Sequence, residues 1–309
     1  MNLQQLQQKP FFKIIKIILF LTLLGILTSI IIKNFSKINF KIILNHPLIS
    51  VSVITIASII LLIKSYQLYT IASITQLKRP YFHFIKIYCM SSFIELTTFT
   101  GKIGSDGFKY LYWKEHSKKN RLTIILFQRS TDILGFIILL LFILIPWWIS
   151  IPITLLIVIL LIKCLSCPKK TQPSESIKHL IKQHRAKWLA MIAISIISYL
   201  LILTQLGLIF SSLGATITKP LLLGFLFSHG LGALSQLPLG LGVKDLFITY
   251  TLNDILNQET IILGLIWARL FGEFFIIMLG GIFLGIDLLK KKHSQKEQPE
   301  HHNPSQQSI

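Results

Sequence analysis

The sequence predicts an all-α polytopic membrane protein. Hydrophobic residues make up 52% of its 309 positions, charged residues only 14%, and the mean hydropathy is +0.67. Several apolar runs reach the ~20 residues a helix needs to cross a hydrocarbon core. The net charge of +19 is carried in loops beside those runs, as the positive-inside bias and anionic cytoplasmic lipids require. Anionic lipids at the cytoplasmic face are therefore expected partners, and nucleic acid is not.

Residues 1–13 are polar and basic and read as a cytoplasmic N-terminus. Ile14 to Ile32 is longer than a signal-peptide core and lacks a small-residue cleavage site, so it reads as an uncleaved first span. Asn45-His46-Pro47 looks like a helix start with Pro in the first turn, and span two runs from there through Leu62 or on to Ile74. Tyr81 to Trp113 is apolar but interrupted by Thr100-Gly101-Lys102-Ile103-Gly104-Ser105-Asp106-Gly107. It reads as a helix–break–helix that enters and returns on one side, with a full span plus loop as the alternative. Leu122 to Leu144 is a span carrying Arg129 and Asp132. Ile151 to Ile162 is a short span behind the interfacial Trp147 and Trp148. The basic loop over 163–187 has an amphipathic surface helix expected at Glu175 to Arg185.

Trp188 to Phe210 is the next span. Pro220 to Asp254 is a second helix–break–helix around Gln236 to Asp245, QLPLGLGVKD. The apolar runs on either side of that break are each too short to cross alone. Broken backbone at membrane depth must line an enclosed or wet cavity, because lipid offers its N–H and C=O groups no partners. Ile261 to Leu289 is the last span, with Arg269, Glu273 and Asp287. The transmembrane domain is thus 14–289, and 290–309 reads as a disordered cytoplasmic tail. Lys and Arg counts, with Lys64 taken among the cytoplasmic charges, put both termini in the cytoplasm. About six full spans plus two re-entrant hairpins satisfy this, and so do eight full spans.

The halves read alike: span, Gly-broken hairpin, span with an Arg and an acid. Asp106 precedes Arg129 by 23 residues and Asp245 precedes Arg269 by 24. With one hairpin entering from each side, this is the pattern of an inverted-topology repeat whose broken helices build a midplane substrate site.

Ionisable groups in a span need partners or water. Arg129 with Asp132 (i,i+3) and Arg269 with Glu273 (i,i+4) share helix faces. Each pair either satisfies itself or offers its guanidinium to a phosphate. Gly104-Ser105 and Gly240-Leu241-Gly242 are expected to precede short helices, with Ser105 as an N-cap and Lys109 and Lys244 in or near the first turns. Helix N-termini there would attract phosphate or carboxylate. The other reading is that these glycines only permit tight turning. The candidate substrate-binding set is Arg129, Asp132, Arg269, Glu273, Gly104, Ser105, Asp106, Lys109, Pro238, Gly240, Gly242, Lys244 and Asp245. Glu95 is either an acid paired with Lys102 or a relay group, and His229 a structural or titrating histidine. No catalytic constellation, metal set or cofactor motif is visible. Cys164-Leu-Ser-Cys167 is a lone CxxC, which with Cys89 reads as reduced thiols.

Four segments carry a resemblance: GKIGSDGFKYLYWKE (Gly101 to Glu115), QRSTD (Gln128 to Asp132), LPLGLGVKD (Leu237 to Asp245) and ARLFGE (Ala268 to Glu273). Together they resemble the flippase-like transmembrane region of lysylphosphatidylglycerol synthases and its stand-alone relatives, over roughly residues 10 to 290. The family often has Pro-Gly-Gly and Glu where this chain has Pro238-Leu239-Gly240 and Asp245, and a Pro before the first motif that is missing here. The resemblance implies translocation of a phospholipid or lipid-linked saccharide across the cytoplasmic (inner) membrane. It implies a translocator without the aminoacyltransferase domain, hence not an enzyme. A membrane-embedded lipid-modifying enzyme or its subunit, and a structural or regulatory subunit, are the competing classes. A homo-oligomer is compatible with all three.

Overall fold

The computed structural model describes residues 40–75, 77, 79–98, 101–146, 152, 184–235, 240 and 242–296. The expected spans Ile14–Ile32 and Ile151–Ile162, apart from Pro152, lie outside them. So do Cys164, Cys167, Pro238, nearly all of the amphipathic segment and positions 297–309. The described chain is all-α, with four helices long and apolar enough to cross a membrane.

In order, these are α1 (Lys41–Asn45), α2 (Pro47–Ile74), α3 (Tyr81–Thr97), α4 (Lys102–Tyr112), α5 (Lys118–Leu144), α6 (Arg185–Ser212), α7 (Lys219–Ser235), α8 (Val243–Leu252) and α9 (Gln258–Trp267). A π-helical segment, Ala268–Glu273, leads without interruption into α10 (Phe274–Lys296). Helix starts follow the local chemistry. Pro47 opens α2, where its missing N–H costs nothing. Ser117 and Asn257 cap α5 and α9 by accepting from the N–H groups of Asn120 and Thr260. Helix α10 continues past Leu289, the expected end of the last span.

The internal repeat is visible in helix lengths. Helices α2 and α6 each have 28 residues, α3 and α7 each have 17, and α4 and α8 have 11 and 10. Both short helices begin after a glycine with positive φ, Gly101 at 50° and Gly242 at 82°. Only glycine adopts this left-handed backbone without a side-chain clash.

Contacts settle how the hairpins run. The end of α4 lies beside the start of α3: Tyr112 stacks near His83, Trp113 near Phe84, and Arg79 pairs with Glu115. Hairpin α3–α4 therefore enters and leaves on one side. On that same side, Asn120 at the start of α5 donates to the carbonyl of Thr75 at the end of α2. Helix α5 then crosses, and its last carbonyl, Leu144, accepts from Lys219 at the start of α7. Hairpin α7–α8 starts there and returns there, since Thr251 near the end of α8 packs against Gly224 near the start of α7. Among the described residues the two hairpins enter from opposite sides, a re-entrant, inverted arrangement, and the helices of neither hairpin are among those long enough to span. The halves also interlock: α3 packs on α10, α7 on α5, and α2 on α6.

The α3–α10 crossing depends on Gly280. A Cβ there would sit 2.1 Å from the carbonyl oxygen of Cys89 on α3. Backbone cannot step aside as a side chain tip can, so Gly280→Ala is expected to cost ~1–3 kcal/mol. A melting curve in detergent identical to that of wild type would refute this crossing.

Candidate functional site

Arg129 and Arg269 each occupy the twelfth position of a crossing helix, counting from Lys118 and Gln258. At 1.5 Å per residue that is about 17 Å from the start, near the middle of a bilayer core. The described starts of α4 and α8 reach this level, where Asp106 pairs with Arg129 and Asp245 with Arg269. Between them lies a cavity of about 230 Å³, room for roughly seven waters. Eight charged side chains line it: Lys64, Glu95, Lys102, Lys109, Arg129, Asp132, Lys244 and Glu273.

The second hairpin's charges are mutually satisfied. Asp245 accepts the N–H of Gly242 at 3.2 Å and lies 3.0 Å from the guanidinium of Arg269 through both oxygens. Arg269 also bonds Glu273, which accepts from Lys244 at 2.8 Å. Two cations thus face two carboxylates. The N-terminus of α8, expected to await an external anion, is occupied by the chain's own Asp245, a helix-capping arrangement. Asp245 is buried, and both it and Arg269 stand behind the cavity wall.

The first hairpin differs. Asp106 holds Arg129 at 2.8 Å and Lys109 at 3.7 Å, so one carboxylate serves two cations. Lys109 also donates to Gln128 at 3.3 Å. Lys102 stands at the first position of α4, with its side chain on the cavity, and Arg129 donates to its carbonyl. At the third helical position, where α8 has Asp245, α4 has Gly104. This N-terminus carries no capping carboxylate. Counting Lys102, Lys109 and Arg129 against Glu95 and Asp106, the first hairpin region holds one positive charge in surplus.

A third cluster joins the crossing helices. Lys64 bonds Asp132 at 2.6 Å; Gln67 and Ser195 also bond Asp132, at 3.2 and 3.0 Å. The ammonium of Lys64 sits 5.6 Å from the Tyr199 ring centroid, and His229 meets that ring edge-on.

Most expected site residues converge. Ser105, Lys109, Arg129, Asp132, Gly240, Lys244 and Glu273 line the cavity, while Gly104, Asp106, Gly242, Asp245 and Arg269 support it from behind. Gly240 takes φ 67°, and a Cβ on it would come 2.7 Å from Gly232 Cα, so glycine is required where the hairpin arms touch.

Four expectations need correction. Arg129 pairs with Asp106 and not with Asp132, because α4 fills the space beside it. Ser105 is no N-cap: helix α4 starts at Lys102, and the Ser105 N–H already donates to Gly101. For the same reason Gly104 and Ser105 lie within α4 instead of before it, and Lys109 falls near its end. Lys64 is not a cytoplasmic loop charge but a buried member of the site. It went unseen because it borders a polar stretch, yet an isolated Lys between Ile63 and the helical run to Ile74 was the signal.

No protein-family model matches the chain, and no curated protein matches it.

Proposed function

We propose that the chain translocates a phosphate-bearing lipid across the cytoplasmic membrane, its headgroup passing through the midplane cavity. The reading follows the resemblance to the flippase-like region of lysylphosphatidylglycerol synthases, with a phospholipid or a lipid-linked saccharide as substrate. The observation that carries it is the unequal charge of the two hairpins. The balanced second hairpin offers an anion no free partner. At the first, Lys102, Lys109 and Arg129 surround an uncapped helix N-terminus, and two devices for phosphate recognition coincide there. Two hairpins from opposite sides give the headgroup a polar meeting point in each direction, while acyl chains stay in lipid.

The orientation follows from loop charge. Arg79, Lys114, Lys118, Lys119, Arg185 and Lys187 lie on the side where α3 begins; among the described residues Lys41 and Lys219 lie on the other. The first side is then cytoplasmic, as is the end of α10, which packs beside the start of α3.

A leaflet-resolved assay in proteoliposomes with a tail-labelled phospholipid tests the reading. Lys102→Ala removes a cation that holds no carboxylate in place, so folding is expected to survive. Translocation is expected to slow by about tenfold, the worth of one charge-assisted hydrogen bond. Equal rates for variant and wild type would sink the assignment of the phosphate to this hairpin.

A further inference from the structure

Of the eight charged side chains on the cavity wall, six are held within 4.0 Å by an opposite charge. Among the described residues, Lys102 and Glu95 have no such ion pair. Glu95 lies in the last turn of α3 and Lys102 begins α4, so they flank the tip of the first hairpin from its two arms. Glu95 is partly buried and accepts no hydrogen bond from a described residue. Lys102, Arg129 and Lys109 are its charged neighbours, but none makes an ion pair with it, and a carboxylate facing a cavity without a contact is open to a ligand's positive group.

Resting on the translocation reading above, we propose that the headgroup carries a primary amine as well as its phosphate. The phosphate sits against Lys102 and the α4 N-terminus, and the ammonium sits against Glu95. The headgroup is zwitterionic, of the ethanolamine or serine ester kind. Its two charges are joined by a short link and meet two opposite charges on adjoining arms of one hairpin. A headgroup with phosphate alone would bring its negative charge towards Glu95 and offer that carboxylate no contact. Lys109 and Arg129 are held by Asp106 and make no ion pair with Glu95. Specificity would then come from Glu95 as much as from the cations, because it penalises the wrong headgroup as well as rewarding the right one.

The test compares tail-labelled phosphatidylethanolamine with tail-labelled phosphatidylglycerol in phosphatidylcholine vesicles. Wild type is expected to move the ethanolamine lipid faster. Glu95→Gln, which keeps shape and removes charge, is expected to slow that lipid by about tenfold and the glycerol lipid by less than about twofold. Glu95→Asp should keep the preference. An equal fall for both lipids, or a wild type without preference, overturns the proposal while leaving translocation standing. A second measurement separates the two ideas. Phosphoethanolamine should raise the unfolding temperature of the detergent-solubilised protein more than glycerol 3-phosphate does, and Glu95→Gln should abolish the difference. If that holds while no lipid moves, the headgroup assignment stands and the translocation reading falls.

Discussion

Arg269→Ala is expected to cost ~3–5 kcal/mol of stability, the penalty for leaving a buried charge without its partner. Asp245 is only 3% exposed and receives both of its guanidinium bonds from Arg269. Without them its carboxylate keeps the Gly242 N–H and little else. Glu273 would still hold Lys244, so the damage concentrates at the start of α8. Arg269→Lys restores the charge but not the planar fork, and is expected to fall between alanine and wild type. The measurement is thermal unfolding in detergent. An alanine variant that melts with the wild type would mean the guanidinium does not anchor the hairpin. This expectation differs in kind from that for Lys102, whose loss is expected to affect transport and spare the fold.

The second large effect lies at Asp132. Asp132→Ala strands the Lys64 ammonium, buried to 9% exposure, and removes the acceptor shared by Gln67 and Ser195. The expected loss is again ~3–5 kcal/mol. Replacing both members, Lys64→Met with Asp132→Leu, is expected to regain most of it, because an apolar pair of similar volume needs no desolvation. A double variant as unstable as the single would show that the cost came from the hydroxyl and amide partners and not from the stranded charge. The full cycle separates these, since the positions touch and their effects do not add.

The class of fold was legible because apolar run length is a direct reading of bilayer thickness. The hairpin tips were legible because Gly101, Gly240 and Gly242 interrupt apolar runs where a soluble loop would carry more polar residues. The matched Asp106–Arg129 and Asp245–Arg269 spacings pointed to a repeat, and the structure adds that both pairs bond. What local spacing could not supply was partner choice. Arg129 has Asp132 one turn away along its helix yet bonds Asp106 from another element, and Asp132 turns to Lys64, 68 residues earlier. Such choices depend on which helix face meets which neighbour. The difference between the two hairpins was on the page as Gly104 against Asp245, but it acquires meaning only once both helix starts are fixed to the residue.

The π-helical segment Ala268–Glu273 bears on that difference. There the N–H of Phe274 donates to Arg269, five residues back, so the turn holds one residue more than α-helical pitch allows. An ordinary turn in its place would swing everything beyond it by about 100° and shift it by about 1.5 Å. Glu273, at the far end of the wide turn, would keep Arg269, its i,i+4 neighbour at α-helical pitch too, but would turn away from Lys244. Gly272 shares the constraint, since its missing side chain leaves the space that Gln205 fills. The single surplus residue therefore acts as a phase setting: it fixes the azimuth of one carboxylate, and through it decides that this wall of the cavity is neutral while its counterpart is not.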